Sequence, residues 1–136
     1  MSSNAITRRR VLASGASATA ALALSRFVAA TEAGVSTRAK VLTFHDARFP
    51  RARALASELP GAMRLQAVDG DPSSLSTHIR PGAVGSSGVR LQGVTTESLP
   101  FCLEQLARHH YGARFESRRL DRDLFVWSLT IPGELS

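Results

Sequence analysis

Residues 40–68 read as strand, helix and strand in succession, and that alternation restricts the fold more than any other feature of the chain. Lys40-Val41-Leu42-Thr43-Phe44-His45 is a short β-rich run. Asp46 stands where a helix N-cap is expected, and Pro50 fits only a first helical turn. Ala52, Leu55, Ala56 and Leu59 then form one apolar stripe, with Arg51, Arg53 and Glu58 opposite. Pro60-Gly61 ends the helix. Met63 to Val68 alternates like a half-buried strand, and Asp69-Gly70-Asp71-Pro72 breaks it. Two strands joined through a helix pair in parallel by a right-handed crossover, so the fold class is α/β.

The second half repeats the alternation with a different ending. Residues 71–88 form a Ser-, Gly- and Pro-rich stretch, long for a loop inside a compact domain and expected to be either a lid or a disordered insertion. Val89 to Val94 reads as a strand. Thr95-Thr96-Glu97-Ser98 offers N-cap hydroxyls for a helix whose expected inner face is Leu99, Cys102, Leu103, Leu106 and His110. Gly112 stops it. Two strands should follow, joined at Asp121-Arg122-Asp123. The first, residues 113–120, alternates charge with Phe115 as an edge strand does, while Phe125, Trp127 and Leu129 suit a more central one. The expectation is a single small α/β domain over residues 39–136, a mixed sheet of about five strands with two helices in the order β-α-β-loop-β-α-β-β.

Charge separates the first 30 residues from the rest. They hold four of the 17 basic residues and none of the 11 acidic ones. The formal charge of +6 therefore belongs mostly to this segment, and the remainder is balanced to within two charges. Without a basic stripe, and with only 6% aromatic residues, nucleic acid is not an expected partner. A positive segment ending in Arg8-Arg9-Arg10 precedes a weakly apolar run, Ala13 to Leu24, and then the small-residue segment Val28-Ala29-Ala30. That order is the order of an export signal. The run falls short of the roughly 20 apolar residues of a bilayer span, so no stable membrane anchor is expected.

Thr7-Arg8-Arg9-Arg10-Val11-Leu12-Ala13 resembles the twin-arginine translocation motif: Ser or Thr, two arginines, any residue, a hydrophobic residue, then Leu. Val11 stands where Phe is commoner, and Ala13 where Lys is often found. The resemblance implies recognition of Thr7, Arg8, Arg9, Val11 and Leu12 by the twin-arginine translocase of a bacterium. It also implies cleavage by signal peptidase at Val28 and Ala30, and a folded product in the periplasm. Residues 1–30 are then the leader and 31–38 a flexible spacer. Gly93 to Ala107 is similar to a stretch of short twin-arginine-exported bacterial proteins, a likeness that supplies no mechanism.

In an open α/β sheet, ligands bind beyond the carboxyl ends of the parallel strands. Those ends carry His45 and Asp46, then Asp69 and Asp71, then Thr95, Thr96 and Ser98. The same residue types also make turns and caps, so His45, Asp46, Asp69, Thr95 and Thr96 are the candidate ligand-binding set without a ligand assigned. No spacing matches a zinc or calcium motif, so no metal site is expected, and the sequence leaves any cofactor unknown. One cysteine, Cys102, cannot form an intrachain bridge. It falls in an apolar stripe, as inert cysteines do. At the start of a helix it is also a candidate nucleophile with His45 or His78. No phosphate-binding loop, dinucleotide fingerprint or Gly-x-Ser-x-Gly elbow occurs. The sequence therefore points to an exported, non-catalytic binding or accessory domain, with an exported partner protein, and to a cysteine-dependent hydrolase or thiol-transfer enzyme as the alternative.

Overall fold

The computed structural model describes residues 18–32, 39–71, 73, 75, 87–109 and 112–133. The β-rich run forms β1 (Lys40–Asp46), one residue longer than expected. Its partner in the first crossover is β2 (Leu65–Val68), and between them lies α2 (Pro50–Ala56). α1 is Ala18–Glu32, ahead of the sheet in the chain. Beyond the loop come β3 (Val89–Thr95), α3 (Ser98–Ala107), β4 (Arg114–Arg119) and β5 (Phe125–Ile131). The architecture is α/β with one mixed five-stranded sheet, ordered β2-β1-β3-β5-β4. β1 runs parallel to β2 and β3, and β5 runs antiparallel to β3 and β4. Three helices accompany it where two were expected. The additional one is α1, which falls mostly within the expected leader.

β3 is central and buried along its whole length, including Arg90, Gln92 and Thr95. Gly93 is required there. A Cβ at this position would lie 2.6 Å from the Phe44 carbonyl oxygen and 2.9 Å from Cζ2 of Trp127. β5 is interior and β4 is the border strand, as the alternation predicts. The β4–β5 turn is closed by Asp121, whose Oδ1 accepts hydrogen bonds from the Asp123 and Leu124 backbone N–H groups, both at 2.9 Å.

Two apolar layers form, one on each face. α2 connects β1 to β2 on one face, with Ala52, Leu55, Ala56 and Leu59 buried as the stripe predicts. The return from β2 to β3 runs the opposite way across the sheet, and right-handed crossovers of opposite direction lie on opposite faces. Leu75, within that connection, is accordingly buried against Phe44, Val68 and Trp127 on the other side. α3 continues in that direction and covers the same face with Leu99 and Leu103. On this face Phe44 and Trp127 stack at 6.2 Å, and the Trp127 indole N–H donates to Thr95 Oγ1 at 3.0 Å. The α2 face, by contrast, receives no crossover helix over β5 and β4. α1 lies there, burying Ala20, Leu24 and Phe27 in the layer that contains Val94, Leu120, Leu124 and Val126.

Several capping expectations change. Asp46 is the last residue of β1 rather than a helix N-cap; Phe49 occupies that position, with no side-chain cap. The hydroxyls of Thr95, Thr96 and Ser98 do not cap α3 either, because Glu97 takes the N-cap position without a side-chain bond. On α3, Leu103 is fully buried, whereas Cys102 and Leu106 are half-buried.

Candidate functional site

Two regions draw on the residues singled out above: the carboxyl ends of the parallel strands, and the sheet face beneath α1.

At the strand ends, Asp46 is fully buried. Its carboxylate accepts hydrogen bonds from the Arg48 backbone N–H at 3.0 Å, from Arg48 Nε at 2.9 Å and from Arg48 Nη2 at 2.7 Å. The short turn after β1 brings Arg48 back over its own strand end. Nη2 also donates to Thr96 Oγ1 at 3.2 Å, which ties β1 to the end of β3. The same group lies across Gly70, where a Cβ would come within 2.7 Å of Nη2. Burial alone would raise the Asp46 pKa, but the hydrogen bonds and charge of Arg48 prevail and hold the carboxyl below its usual range. The carboxylate is thus ionised and already bidentate.

Asp46 and Thr96 are therefore brought together, through an arginine that sequence reasoning passed over. The available signal was an Arg two residues beyond an Asp at a strand end, the spacing of a local Asx turn. Asp69 accepts from the Asp71 backbone N–H at 3.1 Å, and Asp71 from that of Ser73 at 2.9 Å, so both act as turn formers. Thr95 is turned inward to Trp127. His45 alternates to the opposite face, under α2. Burial lowers its pKa from 6.5, and the nearby Arg53 charge lowers it further. Its Nδ1, like Oε1 of the fully buried Gln92, has no hydrogen-bond partner among the described residues. The other end of the Gln92 side chain is satisfied, its Nε2 donating to Thr43 Oγ1 at 2.9 Å and to the Pro60 carbonyl at 2.8 Å.

The structure does not bring Cys102 and His45 together. Cys102 is on α3 and His45 faces α2, so the sheet stands between them. His78, His110, the translocation motif at Thr7, Arg8, Arg9, Val11 and Leu12, and most of 71–88 lie outside the described residues. So do positions 33–38 of the expected spacer, whereas Thr31 and Glu32 end α1. Among the described residues, no three His, Cys, Asp or Glu side chains are grouped to hold a metal ion. No helix among them is long and apolar enough to cross a membrane.

The second region is the α2 face of β5 and β4. Its floor is Val126 with Leu120 and Leu124, and its wall is Leu55 and Leu59. α1 seats Ala20, Leu24 and Phe27 on it, the i, i+4, i+7 pattern of a helix lying in a groove. Beside α2 the seam is incompletely filled. A cleft of 280 Å³ runs there, lined by Ala21, Leu24, Ser25, Val28 and Ala29 of α1 and by Leu55 and Glu58. Val28 and Ala30, the expected cleavage residues, lie within α1, with Val28 half-buried and Ala30 exposed. No protein-family model, curated protein or solved structure matches the chain.

Proposed function

We propose that the chain is a precursor exported through the twin-arginine translocase, and that its processed form is a non-catalytic binding or accessory domain of the bacterial periplasm. The observation that carries the binding role is the α2 face of β5 and β4. α1 packs against both β4 and β5 on this face, burying Ala20, Leu24 and Phe27 in the layer that contains Leu120, Leu124 and Val126. Cleavage near Ala30 removes most of α1 and opens that layer. An apolar layer uncovered in this way is the kind of surface that marks an interaction site. The strand-end residues support the same reading by contrast. Arg48 bonds both Asp46 and Thr96, so the buried carboxylate at the end of β1 is engaged within the fold itself.

In this reading the leader is recognised at Thr7, Arg8, Arg9, Val11 and Leu12 and cut by signal peptidase at Val28 and Ala30. The partner of the mature domain is another exported protein. Arg8→Lys combined with Arg9→Lys tests the assignment by fractionation and intact-mass spectrometry. Full-length precursor retained in the cytoplasm is the expected result. Unchanged periplasmic protein, or a periplasmic mass that still includes residues 1–30, would overturn it.

A further inference from the structure

We infer that the surface beneath α1 is a groove for a helix of a partner protein, and that α1 occupies the partner's place until the leader is removed. This deepens the export reading and rests on it. The topology leaves the β5–β4 half of this face without a crossover helix, and the occupant seen there is a helix held by Ala20, Leu24 and Phe27. The groove therefore accepts a helix with apolar residues at i, i+4 and i+7.

α1 also fits the groove poorly on one side. Between α1 and Leu55 a solvent-open cleft of 280 Å³ remains, lined on α1 by Ala21, Leu24, Ser25, Val28 and Ala29. Apolar surface left in contact with water there forgoes the gain that burial would bring. A removable cover needs loose seating, and a lasting partner needs the reverse. The partner helix accordingly carries branched apolar side chains where α1 has Ala21 and Ser25. Glu58 lines the same cleft opposite Ala29, so a lysine at the position of Ala29 completes the match in charge.

The test uses the full chain with a specific protease site placed within positions 33–38, cut while folded. Three fluorescent peptides are then offered to it: residues 18–32 unchanged, the same peptide with A21L, S25L and A29K, and one with L24D. The expected result is that the cut chain keeps the near-ultraviolet circular dichroism of Trp127 and exchanges its helix for the unchanged peptide. The triply substituted peptide binds at least roughly tenfold more tightly, since each added methylene contributes to burial. The L24D peptide does not bind. A cut chain that keeps the Trp127 signal but takes up no peptide overturns the inference. So does a substituted peptide that binds no better than the original, or loss of the Trp127 signal once the helix is displaced, which would make α1 a permanent part of the core. A cut chain that pairs with itself instead of with peptide assigns the face to a second copy. Failure of the export reading is distinguishable: peptide exchange persists, while the chain in cells is never shortened.

Discussion

Leu24 is the residue through which α1 is most directly testable. It is 4% exposed and sits in the layer shared by Leu55, Leu124 and Val126. Leu24→Ala removes three carbons, each contributing about 0.8 kcal/mol of transfer free energy, and leaves a partial cavity, for a total of about 2–3 kcal/mol. In a chain of this size 1 kcal/mol corresponds to about 4 °C in Tm, so the midpoint should fall by about 10 °C. Leu24→Asp places a charge in the same position and should cost more, but only up to a ceiling. Once the penalty exceeds the free energy of docking α1, the helix leaves the sheet and the remainder sets the stability. The signature is a smaller denaturant slope, because less surface is buried in the native state. Thermal and urea unfolding of the full chain, followed by the Trp127 signal, measure both quantities. Leu103→Ala, at a fully buried position of α3 on the opposite face of the sheet, serves as the reference. A Leu24→Ala midpoint within a degree of the parent would refute the packing of α1 on the sheet.

Other consequences are equally direct. Gly93→Ala forces a methyl group against the Phe44 carbonyl and Trp127 and should cost about 3 kcal/mol; an unchanged urea midpoint would mean that β1 and β3 are not paired as described. His45 is held below 6.5 by burial, so the folded chain resists a proton that the unfolded chain accepts. Its contribution is intact above pH 6.5 and is lost as the pH falls below that value. Stability measured across this range should therefore flatten in His45→Gln, and an unaltered slope would place His45 elsewhere. Arg51 donates to Asp121 at 2.9 Å and to Asp123 at 3.0 Å, joining α2 to the β4–β5 turn. Arg51→Ala should cost about 1 kcal/mol at low salt and less at high salt, and equal losses at both salt concentrations would argue against an ionic role.

The order of the elements was legible because periodicity and turn residues agree along residues 40–131. The interior place of β5 followed from Phe125, Trp127 and Leu129, and the border place of β4 from its charges. Three features were not legible, each for a physical reason. Leu75 sits in a Ser- and Gly-rich stretch with no periodicity, and only the direction of the crossover decides which face it enters. Asp46 looks the same as a helix cap and as a buried carboxylate, and the distinction lies in Arg48 folding back onto it. The Ala-rich run at 18–30 has the composition of a leader and of a packing helix alike. The uncovered half of a sheet face appears only after the strand order is known. On α3, small shifts in helical phase bury Leu103 and leave Leu106 and Cys102 partly exposed.

The border strand β4 has a consequence for the behaviour of the protein at high concentration. Its outer backbone edge is flanked by Arg114, Arg118 and Arg119, all exposed. Three arginines against one carboxylate, Glu116, leave this edge net positive, so a strand from another copy added there meets like charge. At the far border β2 offers only four residues, and a short border strand is one way in which sheets discourage edge pairing. Growth of the sheet from molecule to molecule is therefore disfavoured at both ends. Even with an apolar face uncovered, crowding should favour discrete complexes over fibrils.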